Sequence, residues 1–392
     1  MKKIYDEEIV ISLSNITDPR NDKGKRYKLE DIVLIIVYAF LSGHCESTEI
    51  EYYTELHFEY FHELIGLKTV PSHDTFSRIK RIINFDELYV HLSEWLQSRF
   101  SEISKKYNEY RILHVDGKAV RAANAKSEGE RPIYILNSMY EGGTISLYTK
   151  RIDDKTNEAG VLPEYLRFFN LKNTIVTIDA AGCTENVINT IHERGGKFLL
   201  PVKENNPKLR NAILEKIEEL KQNGKYKKLN SVERISKDHG RIEKTEAVLI
   251  SDTSFIYEKL GTDKFYGHIA RICVIEKEVT EKENGIEKTT TSQSILITDV
   301  TSLSVEQLLE IKLSHWNIES QHWLLDVVLQ EDLQTERKGN SVSNSAVLRR
   351  FCLQLRSFEP EMEKKPLSRF LMRNEAYVEK IEELLFGKVI SK

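Results

Sequence analysis

The segment RILHVDG, Arg111–Gly117, is the first of five predicted strands whose order indicates the fold. Four more segments share its enrichment in β-branched and aromatic residues: PIYILNSMY (Pro132–Tyr140), TISLYTKRI (Thr144–Ile152), NTIVTIDA (Asn173–Ala180) and KFLLPVK (Lys197–Lys203). Such segments predict strands. The glycines at 142 and 143 predict a tight turn, so the first three strands form an antiparallel meander. Helical periodicity follows the third, fourth and fifth strands.

The predicted element order is therefore βββαβαβα, which is the order of the ribonuclease H-like (RNase H-like) α/β fold. After this core, residues 229–300 are β-rich again and predict an inserted β subdomain. Before the core, helical spacing from about residue 29 to 100 predicts a helical N-terminal domain. We expect four regions: 1–105, helical and DNA-binding; 106–228, the first part of the core; 229–300, the β-rich insertion; and 301–392, which completes the core with further helices.

Composition excludes several classes of protein. The longest apolar run, Ile32–Leu41, is too short for a bilayer span, and the acidic N-terminus is unlike a signal peptide, so we expect a cytoplasmic, nucleoid-associated protein. Four widely spaced cysteines predict reduced thiols rather than a disulfide or zinc framework. The net charge of −4 counts against a DNA-coating protein. Residues 194–228, with ten Lys or Arg and four Glu, can face a polyanion or form an ordinary solvated helix.

A short basic helix is predicted from Asp74 to Ile83, opened by Pro71 and Ser72. It carries Arg78, Lys80 and Arg81 and resembles a DNA recognition helix in size and charge. An ordinary helical bundle produces the same pattern, so both interpretations stay open.

Three acidic residues are candidates for catalysis. Asp116 and Asp179 are each predicted to end a core strand, where open α/β sheets bind their ligands. Glu319 lies on a long predicted helix, and His315, Glu319, His322 and Asp326 are spaced to share one face of it. An apolar stripe is expected to pack that helix on the sheet: Val305, Leu308, Leu309, Leu313, Trp316, Trp323, Leu324 and Val327. The alternatives are turn-capping aspartates and a solvated helix face.

Three converging carboxylates suit a hard cation, Mg²⁺ or Mn²⁺, and two such ions can activate a water or a 3′ hydroxyl and stabilise the leaving oxygen. Zinc is disfavoured because no Cys or His pair has ligand spacing. Glu319 with His322, and Glu59 with His62, also match the E-x-x-H pattern of di-iron bundles, but the predicted strands argue against that architecture.

At these residues the chain resembles the H-repeat-associated (Rhs-linked) bacterial insertion-sequence transposases. Eight matching motifs occur in order: DPR (Asp18–Arg20), PSHDTFSR (Pro71–Arg78), VDGKAVR (Val115–Arg121), DDKTNE (Asp153–Glu158), TIDAAGC (Thr177–Cys183), LPVKENNPKL (Leu200–Leu209), HGRIE (His239–Glu243) and HWNIESQHWLLDVVLQED (His315–Asp332). The match covers nearly the whole chain. Each motif is weak alone, whereas their order is specific.

The resemblance implies a DDE transposase with an RNase H-like catalytic domain, in which Asp116, Asp179 and Glu319 hold the metal ions. It implies double-stranded DNA as partner, both the transposon ends and the target, and a homodimer on that DNA. Further polar motif positions are candidate DNA or active-site contacts: Lys118, Arg121, Asn157, Lys203, Asn205, His239 and Arg241. Related transposases often carry a Lys two turns beyond the Glu, where this chain has Asp326.

Two alternatives to a transposase remain at this point. A metal-dependent nuclease of the same fold would cut DNA without joining it. A catalytically inactive or domesticated descendant would only bind DNA. The sequence identifies neither the terminal repeats, nor the target site, nor the reaction intermediate.

Overall fold

The computed structural model describes residues 4–99, 110–120, 133–140, 144–152, 158–238, 241–261, 264–283 and 286–387. The protein is mixed α/β, as predicted. It divides into two compact units: a first unit of Met1–Ile103, Gly117–Lys155 and Glu319–Lys392, and a second unit of Ser104–Asp116 and Thr156–Ile318. The domain boundaries drawn from the sequence remain a prediction. Over the described residues, no helix has the length and apolarity that a bilayer span needs.

The second unit is built on a sheet. Its elements, in chain order, are the start of β1 (Arg111–Val120), α7 (Glu158–Leu166), β4 (Thr174–Thr177), α8 (Glu185–Glu193), β5 (Lys197–Val202), α9 (Pro207–Gln222), β6 (Asn230–Asp238), β7 (Arg241–Ile250), α10 (Ser254–Leu260), β8 (Arg271–Glu283), β9 (Ile286–Thr298), α11 (Val305–Ser314) and the start of α12 (Trp316–Trp323). The strand order is β1-β4-β5-β9-β8-β7-β6. β1, β4 and β5 are parallel neighbours, and the pairs from β5 onward are antiparallel.

Helix α11 covers one face of this sheet. Its Leu308, Leu309 and Ile311 are buried in one apolar cluster with Ile112 of β1 and Ile175 of β4. Alternate residues of a strand point to the same face, so His114 and Asp116 of β1 and Thr177 of β4 follow this apolar layer on the α11 side. The core thereby fixes which residues of the two strands face the end of α11.

The first unit is mainly helical. It contains α1 (Glu8–Ser14), α2 (Leu29–Leu41), α3 (Ser47–Leu56), α4 (Phe58–Ile65), α5 (His73–Ile82), α6 (Phe85–Arg99), the end of β1, β2 (Ile133–Tyr140), β3 (Thr144–Ile152), the rest of α12, and the C-terminal helices α13 (Ser341–Arg356), α14 (Pro360–Glu363), α15 (Leu367–Ala376) and α16 (Val378–Phe386). β2 and β3 pair antiparallel. Residues 341–355 of α13 are buried on every side, which makes α13 the central helix of this unit. The order β1, β2, β3, α7, β4, α8, β5, α9 is the βββαβαβα order that the sequence predicts.

The long helix predicted around Glu319 is not continuous. α11 ends at the capping residue His315, α12 follows, and a π-helix occupies Leu324–Val328. The predicted apolar stripe is wrong at Leu313, Trp316, Trp323 and Val327, which are 38%, 63%, 57% and 55% exposed. The break at His315 changes the helical phase before Trp316. The π-helix, whose turn contains more residues than an α turn, changes the phase again from Leu324 to Val328.

Candidate active site

The register of β1 and β4 places the two candidate aspartates side by side. His114 of β1 is the partner of Thr177 of β4, and Asp116 and Asp179 each follow two residues later. Neighbouring strands lie about 4.8 Å apart, so both carboxylates leave the same end of this parallel pair. The prediction that both aspartates end strands needs correction at each of them. β1 continues to Val120, so Asp116 lies within it, and β4 ends at Thr177, two residues before Asp179.

A tight turn carries Asp179. The residue caps the 3₁₀ helix Ala180–Gly182, and its Oδ1 accepts a hydrogen bond from the Ala181 amide at 2.9 Å. The Asp179 side chain is exposed, whereas Asp116 is half-buried. A Cβ on Gly182 would lie 2.5 Å from Ile178 Cγ2, so the turn closes only with glycine there. Asn205, which follows β5, donates to the Ala180 carbonyl at 2.6 Å and ties the next loop to this turn.

A buried polar layer lies directly before the two aspartates, on the same face of the sheet. Thr177 Oγ1 is 2.7 Å from His114 Nδ1 and 2.7 Å from His315 Nδ1. The hydroxyl has one proton, so it donates to one histidine and accepts from the other. Ser314 Oγ lies 3.3 Å from His114 Nε2. Helix α11 is thereby joined to β1 and β4 at the level of the carboxylates.

Within this layer, the His315 side chain is neutral near pH 7. Burial in the core, together with the charge of Lys312, lowers the pKa of His315 to about 4. A neutral imidazole brings no positive charge to the neighbouring strand ends and holds its position through hydrogen bonds alone. His315, predicted to be near the site, is therefore a fixed structural link between α11 and the sheet.

Glu319 belongs to the first unit and lies on α12, but its side chain is outside the described residues. One turn further, His322 Nε2 is 3.1 Å from Asn137 Nδ2. Asn137 Oδ1 accepts from Arg350 Nε at 2.6 Å, so the amide nitrogen of Asn137 must donate to His322. Nε2 of His322 therefore carries no proton and its neutral form has the proton on Nδ1. Asp326 lies in the π-helix, a feature common at functional sites.

Two buried arginines of α13, one in an ion pair and one in hydrogen bonds, hold the segment that follows the π-helix. Arg350 Nη1 lies 2.6 Å from Glu331 Oε1, and both side chains are 1% exposed. The next residue of α13, Arg349, donates to Gln334 Oε1 at 2.6 Å and to the Leu329 carbonyl at 2.9 Å. Buried charges persist when each is paired and hydrogen-bonded. The segment after α12 is thus fastened to the central helix of the first unit.

The predicted DNA contacts differ in exposure and in ion pairing. Lys80 is buried and pairs with Glu336 at 2.8 Å, so the prediction that it contacts DNA is wrong. Arg241 is exposed but lies 3.3 Å from Glu281 and 3.6 Å from Glu243, so carboxylates already balance its charge. The remaining described candidates are exposed: Arg78, Arg81, Lys203 and Asn205. Arg121, Asn157 and His239, and the side chain of Lys118, lie outside the described residues.

The carboxylates and imidazoles of the site determine which metal ion it can hold. Within the described part of the chain, which omits the Glu319 side chain, no cluster of three or more His, Cys, Asp and Glu groups can hold an ion. Asp116 and Asp179 supply two carboxylates on neighbouring strands, and oxygen ligands of this kind are those that Mg²⁺ and Mn²⁺ prefer. His114 directs Nδ1 to Thr177 and Nε2 to Ser314, and His315 directs Nδ1 to Thr177. The available donors fit a hard cation better than zinc.

Comparison with known families identifies the chain. The family model described as "Transposase DDE domain" matches residues 107–355, and the model described as "DDE_Tnp_1-associated" matches residues 10–96. The chain belongs to the DDE transposase family. The resemblance to H repeat-associated transposases seen in the sequence is confirmed.

Three relatives of this DDE transposase family member show how much of its sequence is shared. The "H repeat-associated putative transposase YhhI" of Escherichia coli (strain K12) is 26% identical over 89% of this chain and 90% of its own length. The "Putative transposase YncI" of Escherichia coli O157:H7 is 27% identical over 88% and 85%. The "H repeat-associated putative transposase YbfD" of strain K12 is 27% identical over 63% of this chain and 94% of its own length.

Sequence reasoning missed several residues that shape this DDE family site. Thr177 reads as an ordinary β-branched strand residue, yet its hydroxyl joins two histidines. Asn137 and Arg350 are 213 residues apart and belong to no recognised motif, although they orient His322. A signal existed for Thr177, since it stands two residues before Asp179 and therefore on the same strand face. No comparable signal marks Asn137.

Proposed function

We propose that this chain is an active DDE transposase that cleaves DNA at the ends of an insertion sequence and joins the freed ends to target DNA. The observation that supports the proposal most is the register His114↔Thr177, which makes Asp116 and Asp179 neighbours at one end of a parallel strand pair. The family match supplies the reaction class. The RNase H-like name for this core, with β6–β9 as its insertion, belongs to the same proposal.

Asp116, Asp179 and Glu319 are the proposed ligands of two Mg²⁺ or Mn²⁺ ions. When bound, such ions activate the attacking oxygen and stabilise the charge on the leaving oxygen. In the first step, water attacks the scissile phosphorus and the 3′ oxygen leaves, which gives a 3′ hydroxyl and a 5′ phosphate. In the second step, that 3′ hydroxyl attacks a target phosphodiester, and the target 3′ oxygen leaves.

The protein contributes position rather than a covalent nucleophile. The turn at Ala180–Gly182 and its bond from Asn205 orient Asp179. The His114, Thr177 and His315 layer fixes the strand ends without a charge on His315 near pH 7. Rigid placement of the groups that hold a reacting phosphate lowers the barrier because less ordering remains to be done in the transition state. We further propose that the protein acts in the bacterial cytoplasm, as a homodimer that pairs two DNA ends.

The test uses the purified full chain with labelled duplexes that carry the terminal repeats of the element. We expect Asp116→Asn, Asp179→Asn and Glu319→Gln each to lower the Mg²⁺-dependent cleavage rate at least about 10³-fold, because several kcal/mol of charge stabilisation would be lost. The matched control is Glu306→Gln, an exposed carboxylate on α11, which should cleave at the wild-type rate. Wild-type cleavage by any of the three variants contradicts the assignment of that residue.

Joining is measured separately. A labelled 3′ end incubated with plasmid DNA should enter the plasmid, and the same three variants should abolish the product. Cleavage without joining would favour a metal-dependent nuclease. DNA binding without either reaction would favour an inactive descendant.

A further inference from the structure

Two segments of the first unit bring four cations together on its surface. Arg78 and Arg81 lie on the exposed face of α5, and Arg337 and Lys338 lie in the loop that precedes α13. All four are exposed, and no ion pair of theirs occurs among the residues that the structure describes. We call these four residues the basic ridge.

The buried Lys80 explains why the two segments meet. Its Nζ lies 2.8 Å from Glu336 Oε2 and donates to the Cys45 carbonyl at 3.1 Å. Glu336 immediately precedes Arg337 and Lys338, so this internal ion pair fastens the loop to α5. Lys80 therefore acts on the position of the ridge and does not form part of its surface.

The backbone of the loop also touches the last turn of α5. The Asn340 amide donates to the Arg81 carbonyl at 3.0 Å, and its side chain donates to the Ile83 carbonyl at 2.9 Å. Gly339 has a φ of +58°, and a Cβ there would lie 2.6 Å from Arg81 Cγ. The approach is close enough to require glycine, so the spacing between Arg81 and the loop cations is fixed by packing.

A depression of about 290 Å³ adjoins the ridge on α5. It is lined by two guanidinium groups, two hydroxyl groups and one carboxylate, which come from Arg78, Arg81, Thr75, Ser77 and Asp74. Arginine forks and hydroxyl donors match the oxygens of a phosphodiester. Phe76 and Ile79 are buried on the opposite face of α5 and hold the helix in place.

The ridge differs from the paired cations of the basic segment 194–228. Four of the ten cations in that segment, Lys197, Arg210, Lys216 and Lys221, lie within 4 Å of carboxylates, whereas the exposed Lys225, Lys227 and Lys228 resemble the ridge in having no ion pair among the described residues. Cations already balanced in this way gain little from a polyanion. Four cations without such partners, in a chain of net charge −4, form a local positive field that attracts phosphates.

We propose that the basic ridge binds the sugar-phosphate backbone of double-stranded DNA. The proposal deepens the transposase function and depends on it for the choice of duplex DNA as partner. It assigns DNA contact to residues from two segments, α5 and the loop before α13. The loop would therefore contact DNA as well as connect the helix that carries Glu319 to α13. Because phosphate contacts carry no base information, binding at the ridge is independent of sequence.

The test measures affinity as a function of salt. Full-length protein is titrated into a fluorescent duplex of arbitrary sequence, about three helical turns long, at NaCl concentrations from about 50 to 200 mM. The variants are Arg78→Gln with Arg81→Gln, Arg337→Gln with Lys338→Gln, and all four changes together. The control is Lys364→Gln with Lys365→Gln, an exposed pair elsewhere in the first unit.

Each ridge pair should reduce the slope of log K against log salt concentration by about 2, and the four changes by about 4, because each phosphate contact contributes about 0.9. The control should keep the wild-type slope, and unfolding midpoints should be unchanged in every variant. Ridge variants with the control's slope overturn the proposal and leave the Asp116 cleavage test unaffected. Wild-type protein that fails to bind this duplex at the lowest salt also overturns it.

Discussion

His315 makes the polar layer before the two aspartates sensitive to pH. It is 7% exposed and receives or donates a hydrogen bond at Thr177. Its pKa of about 4 in the folded protein lies below the ordinary value of 6.5. Between these values the unfolded chain binds a proton that the native protein does not, so the contribution of His315 to stability is complete above about pH 6.5 and is lost as the pH falls towards 4.

We predict that this one histidine makes the free energy of unfolding fall by about 2 kcal/mol between about pH 7 and pH 5. Urea unfolding at both pH values measures the fall. Other groups also titrate in this range, so the comparison is with His315→Gln, which cannot gain that proton. The fall should be smaller in the variant by about the stated amount. An equal fall in both proteins would contradict the role given to His315.

The burial of Lys80 and its ion pair could not be predicted from the local sequence. Its position in the run Arg78–Ile82 is that of a basic helix, and charge alone predicts a DNA contact. Helical geometry places Lys80 next to Phe76 and Ile79 on the buried side, while Arg78 and Arg81 face solvent. Its partner Glu336 is 256 residues away, and no local pattern indicates such a pairing.

Among the elements, the turn after β4 leaves no space for a side chain at residue 182. Ile178 Cβ and Cγ2 lie only 2.6 and 2.5 Å from where a side chain at 182 would begin. Ile178 is itself buried, so it cannot move aside without disturbing the core. The turn sets the direction of Asp179 and accepts the bond from Asn205.

We predict that Gly182→Ala lowers the free energy of unfolding by about 1 to 3 kcal/mol, as overpacking does, and also lowers the cleavage rate. Chemical denaturation and the duplex cleavage assay measure the two effects. The control is Gly224→Asn, because Gly224 has a φ of +70° with nothing within 4 Å, and asparagine tolerates that conformation. Wild-type stability and cleavage in Gly182→Ala would show that the turn does not constrain Asp179.

The elements of the core were predictable and their ends were not. β-branched runs identify β1 and β4, a short apolar run identifies β5, and helical spacing identifies α8 and α9, because these patterns are local. The extension of β1 to Val120 depends on pairing with other strands, which is not local. The break at His315 and the π-helix at Leu324–Val328 escaped prediction because the apolar spacing of that stretch also fits one straight helix.

At the scale of the whole molecule, the first unit depends on its last segment. α13 is buried on all sides and packs among α2, α5 and α6, with Trp95 of α6 against Phe351 at 5.6 Å between ring centres. Two buried arginines of α13 also hold the segment from Leu329 to Gln334. The N-terminal helices therefore share one core with residues more than 240 positions later.

We predict that a chain ending at Asn340 loses the packed structure of α2, α5 and α6 while the second unit keeps its sheet. Removing the central helix exposes apolar surface from each helix that packs on it, at about 25 cal/mol per Å². Hydrogen exchange should show loss of protection in residues 29–99 and retained protection in β5, β8 and β9. A chain ending at Gly387 serves as control. Unchanged protection in the shortened chain would contradict a shared core.

The charge pattern of the whole chain was only partly informative. The basic segment 194–228 is visible in the sequence, but several of its cations are balanced by carboxylates from other elements. The basic ridge is not visible, because it needs the contact between α5 and the loop before α13. The family was predictable, since ordered motifs along the chain do not require the fold to be known.

The late position of α13 in the chain has a consequence for biosynthesis. The N-terminal helices, which end at Arg99, leave the ribosome about 240 residues before their partner begins at Ser341. At a translation rate of roughly 5 to 20 residues per second, they wait for roughly 10 to 50 seconds with apolar faces uncovered. During that interval the nascent polypeptide is a client for chaperones and a target for proteases, and the packed first unit forms only after α13 has been synthesised.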